Sequence, residues 1–173
     1  MPDPGREFDE LFDTSYSRLA RLLYRVTGDT GRAEEIASEA FVRLHRQPLR
    51  AITNAEGWLY RTGLRLALDH LKKERRRARY EALAAVFGRA ARAVHNPAAV
   101  LESAEERQRL RQALGALRPD QVALVLLRAE GLTYGELATQ LQLNPASVGS
   151  LLGRAEKALR KEYVKRYGPH RTR

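Results

Sequence analysis

The sequence predicts an all-α fold of two small helical domains joined by a linker, the second containing a helix-turn-helix, and three observations predict it. Apolar residues recur at three- and four-residue steps along most of the chain, with no alternating run of strand type. Capping residues and helix breakers punctuate those stripes. In the middle, hydrophobic content thins through an Ala- and Arg-rich stretch with Gly88 and then His95, Asn96 and Pro97, which is where a linker is expected. The division is residues 1–78, a linker at 79–102, and residues 103–173.

From about Glu7 to Val26, the residues Phe8, Leu11, Phe12, Leu19, Leu22, Leu23 and Val26 form one helical stripe that Gly28 ends. Asp29 caps a second helix running to about Gln47, with Ala33, Ile36, Ala37, Ala40, Phe41 and Leu44 inward, and Pro48 stops it. Thr53 and Glu56 have the spacing of a capping box for a third helix through Trp58, Leu59 and Leu66, strongly basic at its far end. Pro97, inside the linker, or the Ser103/Glu106 pair at its end opens a helix reaching about Leu117. Pro119 starts the next, carrying Val122, Leu124, Val125, Leu126 and Leu127, and Gly131 ends it. Thr133 with Glu136 caps a short helix to about Leu141, and Asn144 followed by Pro145 opens the last, toward Tyr163 or beyond.

Lys and Arg number 31 against 21 acidic residues, giving net charge +10 and a pI near 10.4. Such a field attracts polyanions, nucleic acid first and an anionic membrane surface second. The chain has no cysteine, which removes disulfides, thiolate catalysis and thiolate zinc sites. The acidic, proline-broken start MPDPGREFDE lacks the apolar core of a secretion signal, and no stretch approaches the ~20 apolar residues of a membrane span. A cytoplasmic protein without membrane insertion is expected.

The sharpest local signal is the pair of short helices from Thr133 to Leu141 and from Pro145 to about Arg160, separated by Gln142, Leu143 and Asn144. Leu137, Ala138, Leu141, Val148 and Leu152 would form the core between them. The outer face of the second helix is then free for a major groove, with Ala146, Ser147, Gly149 and Ser150 at its start and Arg154 and Lys157 following. Many helical hairpins share this spacing without touching DNA; the basic tail favours the DNA reading.

A basic track with Arg61, Arg65, Lys72, Lys73, Arg75, Arg76, Arg77 and Arg79 runs along and beyond the third helix. Alone it reads as a solvated face. Trp58 and Tyr60 just upstream suggest stacking on unpaired bases, against the plainer reading of Trp58 as a core anchor. Glu34, Glu35, Glu39, Arg43 and Arg46 stand opposite the second helix's apolar stripe, either as an ordinary wet face or as a docking surface. Catalysis has little support: His45, His70, His95 and His170 are scattered, and neither a Walker loop nor a Gly-x-Ser-x-Gly elbow is present. No catalytic residue, metal site or cofactor is expected.

Taken together, the two halves resemble the extracytoplasmic-function (ECF) sigma factors of the sigma-70 family of bacterial RNA polymerase. AEEIASEAFVRLHR, Ala33 to Arg46, resembles the family's polymerase-binding segment, with Ser38 where Gln is usual and His45 where Trp is usual. WLYRTGLRLALDHLKKERRR, Trp58 to Arg77, resembles the segment that melts and reads the minus-10 element, with Arg65 where Asn is typical and Asp69 kept. The stretch from Leu114 to Lys161 resembles the domain that reads the minus-35 element, with Gly149 and Leu151 in place of two usual basic residues.

The resemblance implies a non-enzymatic transcription initiation factor that binds core RNA polymerase, at the beta-prime clamp and beta flap, together with promoter DNA, and that an anti-sigma factor regulates. It implies polymerase contacts from Glu34, Glu35, Ser38, Glu39, Arg43 and Arg46. It implies minus-10 contacts from Asn54, Trp58, Arg61, Arg65, Asp69, Lys72, Lys73 and Arg76, with the loop from Leu49 to Ala55 capturing a flipped base. Minus-35 contacts fall to Thr133, Tyr134, Asn144, Pro145, Ala146, Ser147, Gly149, Ser150, Arg154 and Lys157. The linker would thread toward the polymerase cleft. The alternatives are a sigma-like decoy for an anti-sigma factor and a plain helix-turn-helix repressor.

Overall fold

Seven α-helices account for the regular structure of the computed structural model, which describes residues 4–48, 51–87 and 98–169. They are α1 (Pro4–Thr27), α2 (Thr30–His45), α3 (Ala55–Phe87), α4 (Ala98–Leu114), α5 (Pro119–Ala129), α6 (Tyr134–Leu141) and α7 (Pro145–Tyr167). No strand occurs among the described residues. The expected all-α fold is the observed one.

Local chemistry explains most of the boundaries. Gly28, at φ 72°, ends α1 in a backbone region that side chains resist, and the Asp29 carboxylate then accepts from the Arg32 N–H at 2.8 Å to cap α2. Arg118 precedes Pro119 in extended conformation, and Gly131, at φ 96°, follows the end of α5. Thr133 and Glu136 form a complete capping box on α6, and the Asn144 side chain accepts from the Ala146 N–H at 3.0 Å to cap α7.

Three expectations change. The cap of α3 is Asn54, not Thr53: its Oδ1 accepts from the Gly57 N–H at 2.8 Å, and Glu56 turns elsewhere. Ser103 lies inside α4 rather than capping it. Helix α3 continues to Phe87, through residues 79–87 of the expected linker, because the sequence there is rich in alanine, the best helix former. At the other end of the expected linker, residues 98–102 belong to α4, while residues 88–97 between the two helices, and Leu49 and Arg50 of the expected base-capturing loop, lie outside the described residues.

Helices α1, α2 and α3 pack around Leu19, Leu22, Leu23, Leu44, Leu64 and Leu68, all essentially without solvent contact. Each such leucine contributes roughly 1.5–3 kcal/mol by burial. Gly63 lets α1 come close: a Cβ there would stand 3.1 Å from a Leu19 methyl. The second group joins α4, α5, α6 and α7, with Leu137, Ala138, Leu141, Val148 and Leu152 buried between α6 and α7 as expected. The two groups are not apart: α3 lies against α5 and α6, α1 touches α4, and one apolar core runs through both.

Candidate nucleic-acid interface

Three exposed faces and one seam carry the candidate residues. On α2, Glu34, Glu35, Ser38, Glu39 and Arg43 are all exposed, opposite the buried stripe from Ala33 to Leu44, and so is Arg46 at its C-cap. Arg43 pairs with Glu39 at 2.7 Å, and Arg32 pairs with Glu35 at 2.5 Å. The Ser38 hydroxyl donates back to the Glu34 carbonyl at 2.8 Å and lies 3.2 Å from the Tyr16 hydroxyl. Sequence reasoning passed over Val42, half exposed in the middle of this charged face. Phe12, also partly exposed, stacks on Tyr16 at 4.8 Å. An apolar residue off the stripe was the available signal for Val42.

On α3, Arg65, Asp69, Lys72, Lys73 and Arg76 are exposed and fall at four-, seven-, eight- and eleven-residue steps from Arg65, one continuous face. Four cations stand there against one carboxylate, and only a 3.9 Å contact joins Lys72 to Asp69. Tyr80, 72% exposed, extends the face by one more turn. Trp58 is half-buried against the core, in keeping with an anchor.

At the other end of the chain, Ala146, Gly149, Ser150, Arg154 and Lys157 are exposed on the outer side of α7, while Val148, Leu152 and Ala155 are buried. Pro145 is exposed in the first turn and Ser147 is half-buried. Tyr134 lies beside Gly149, and the Arg128 guanidinium stands 5.6 Å from the Tyr134 ring centre. Thr133 is engaged locally. Its N–H and hydroxyl donate to Glu136 at 2.7 and 2.8 Å, and those two bonds hold the Glu136 carboxyl below its ordinary range.

Asn54 and Arg61 are placed differently from the rest of the α3 set. The Asn54 amide donates to the backbone carbonyls of Thr139 at 2.8 Å and Gln140 at 3.3 Å, and Arg61 donates to the Leu141 carbonyl at 3.2 Å. Both are therefore bonded to the end of α6, eighty or more residues along the chain. The Glu56 carboxylate accepts from the Gln140 amide at 2.6 Å and, on its other oxygen, from the Tyr60 hydroxyl at 2.8 Å. Burial first, and the Glu56 charge second, push the Tyr60 phenol above its usual range. Arg25 pairs with Glu130 at 2.8 Å across the same divide, and Arg75 donates to the Gln112 carbonyl. Beside the seam, Arg61, Arg118 and Arg154 rim a cleft of about 490 Å³ floored by Leu124, Leu141 and Leu151.

Among the described residues, the histidines form no metal-binding cluster. His45 sits edge-on to Phe8 at 5.0 Å, His70 lies 3.2 Å from Glu74, and His95 and His170 fall outside the described residues. No cluster among the described residues could hold a metal ion, and no described helix is long and apolar enough to cross a membrane.

The family model "Sigma-70 region 2" matches residues 11–77, and "Sigma-70, region 4" matches residues 107–159. The ECF RNA polymerase sigma factor SigK of Mycobacterium tuberculosis (strain ATCC 25177 / H37Ra) is 31% identical over 161 residues, covering 88% of this chain and 83% of SigK. The chain belongs to the ECF sigma factors. SigE of Mycolicibacterium smegmatis is 33% identical over 155 residues, 88% of this chain and 60% of SigE. The probable sigma factor SigI of Mycobacterium tuberculosis (strain ATCC 25618 / H37Rv) is 35% identical over 150 residues, 84% of this chain and 52% of SigI. The chain thus spans between half and three fifths of the length of SigE and SigI. Region 2 of this ECF sigma factor comprises most of α1, all of α2 and α3 up to Arg77, and region 4 runs from the middle of α4 into α7.

Proposed function

We propose that this chain is a transcription initiation factor that binds core RNA polymerase and directs it to promoters, recognising two DNA elements and melting one. The supporting observation is the coincidence of two kinds of result. Regions 2 and 4 occur in the family's order, and each carries an exposed cationic face, Arg65 to Arg76 on α3 and Arg154 with Lys157 on α7.

In this reading the α2 face docks on the polymerase clamp, with Glu34, Glu35, Ser38, Glu39, Arg43 and Arg46 around Val42, and region 4 reaches the flap. The α3 set, from Asn54 to Arg76, serves the minus-10 element. Phosphate contacts from its cations offset the few kcal/mol that unstacking a base costs, so melting needs no nucleotide hydrolysis. Region 4 lays the first turns of α7 in the minus-35 major groove, where Gly149 and Ser150 face bases and Arg154 and Lys157 hold phosphates. Residues 1–78 and 103–173 act as the two working units, the chain performs no catalysis of its own, it works in the cytoplasm, and an anti-sigma factor restrains it.

Run-off transcription tests this reading. Core polymerase with the chain should start transcripts from a restricted promoter set, and neither component should do so alone. Duplex binding that needs no polymerase and yields no transcripts would favour the repressor alternative.

A further inference from the structure

We propose that the cleft rimmed by Arg61, Arg118 and Arg154 binds a free acyl carboxylate, an aliphatic chain of medium length ending in one anionic group, and that this ligand competes with promoter DNA for Arg61 and Arg154. The competition rests on the function proposed above; the binding site does not.

The floor selects an aliphatic body. Arg61 comes from α3, Arg118 from the N-cap of α5, Leu141 from the end of α6, Leu143 from the turn after it, and Leu151 and Arg154 from α7. Leu124 and Leu141 belong to the buried core, while Leu143 and Leu151 are only partly covered. Apolar surface left half in water favours any ligand that covers it. No aromatic residue lines the cleft, so it offers contact along a chain and no ring for a flat base to stack on.

The rim selects the charge. Three guanidinium groups line the cleft against one carboxylate, Asp120, an excess of two positive charges. None of the three forms an ion pair with a described carboxylate, and Asp120 forms none with a described cation. Elsewhere the chain pairs such groups, as Arg25 with Glu130 at 2.8 Å and Arg43 with Glu39 at 2.7 Å. A guanidinium carries five N–H donors in a planar fork that matches a carboxylate. Arg61 uses two of them, on the Leu141 carbonyl and Gln142, and Arg154 uses one, on the Ser150 carbonyl. Those bonds hold both groups in place before a ligand arrives and leave donors for it.

Size points to a small molecule. Nine residues line a volume of about 490 Å³. Small-molecule sites run from roughly 300 to 1,000 Å³, whereas a stable protein interface takes about 20–30 residues on each side. The occupant therefore needs an anionic end for the rim and an aliphatic remainder for the floor. A membrane lipid fits less well, because its chains stay in the bilayer and leave the leucines uncovered.

Arg61 and Arg154 give the site its consequence. Both belong to the sets assigned above to promoter contact, and a carboxylate seated between them neutralises charge that phosphates would otherwise meet.

Isothermal titration calorimetry of the full chain with decanoate, kept below its micelle concentration, tests the site. Saturable one-to-one binding is expected, with Kd below about 1 mM and at least about tenfold tighter than for decanol, which has the chain without the charge. R118E, at an exposed residue, should weaken decanoate binding at least about tenfold, and L151E, which places an anion on the floor, should do likewise. Circular dichroism of both variants checks that the helices remain. No saturable binding, equal affinity for decanol, or binding that neither substitution weakens overturns the site. Vesicles of phosphatidylglycerol supply the contrasting arm: binding to them that R118E removes, with none to decanoate, would assign the cleft to a membrane surface and overturn the proposal. Run-off transcription should fall as decanoate saturates the unaltered chain and hold, relative to its own level without decanoate, in R118E; transcription indifferent to saturating decanoate overturns the competition. The two proposals fail separately: R118E-sensitive binding in a chain that gives no run-off transcripts removes the sigma function, whereas transcripts from a chain that ignores decanoate remove the site.

Discussion

Tyr134 and Gly149 meet where the two helices of the helix-turn-helix converge: a Cβ at residue 149 would stand 3.5 Å from the Tyr134 ring, ordinary contact distance. At Gly153, one turn further along α7, a Cβ would meet nothing within 4 Å. Packing therefore does not require glycine at either place. Since glycine inside a helix costs about 1 kcal/mol relative to alanine, G153A should raise stability by up to about that amount, and G149A by the same or slightly less. Urea titration of each variant gives the number, and a loss of stability would show that α7 is bent or strained at these positions.

The exposed face of α3 should set the salt dependence of DNA binding. Each phosphate that a cation neutralises steepens the fall of log K with log salt by about 0.9 on duplex DNA and about 0.7 on single strands. Removing Lys72 and Lys73 together should lower that slope by between one and two in the polymerase complex, since both side chains are exposed and only Lys72 has a carboxylate within reach, at 3.9 Å. Filter binding across a salt series measures it; an unchanged slope would place the DNA on another face.

Acid should loosen the helix-turn-helix through Glu136. Its folded-state pKa is depressed by the hydrogen bonds from Thr133, so the carboxylate's contribution to stability is fully present above the ordinary carboxylate range. It is lost as pH falls through the depressed value. E136Q should flatten that acid limb of a stability-against-pH curve, and T133A should cost about 1 kcal/mol at neutral pH, the usual worth of an N-cap. A curve that keeps its acid limb in E136Q would assign the limb to other carboxylates.

Val42 should matter for docking and little for folding. It is 50% exposed among charged neighbours on α2, and exposed substitutions away from special features change stability by about 0.5 kcal/mol or less. V42D should therefore leave the urea midpoint near its original value and weaken polymerase binding by at least about tenfold, equivalent to about 1.4 kcal/mol. Equal affinity for V42D would move the docking surface elsewhere.

What could be read in the sequence was what is encoded locally. The α2 and α6 caps are set by residues within three positions of each other, Asp29 with Arg32 and Thr133 with Glu136, and the buried stripes follow helical spacing. The Thr53/Glu56 pair misled because Glu56, although correctly spaced for a capping box, is drawn away by Tyr60 and Gln140. Ser103 and Glu106 misled similarly: the Tyr163 hydroxyl, from α7, donates to Glu106. The seam between regions 2 and 4 could not be read, because the bonds of Asn54 and Arg61 reach residues eighty or more positions away and both resemble any other polar residues on a basic helix. Gly57 was the one clue, a glycine in a helix where nothing local requires it.

The account depends most on association with the multisubunit polymerase. Titrating a fluorescently labelled full chain with purified core RNA polymerase, and following anisotropy, measures that association directly. A saturable one-to-one complex that V42D weakens is the predicted result. No binding at micromolar core enzyme, whatever the chain's affinity for DNA, would contradict the assigned function.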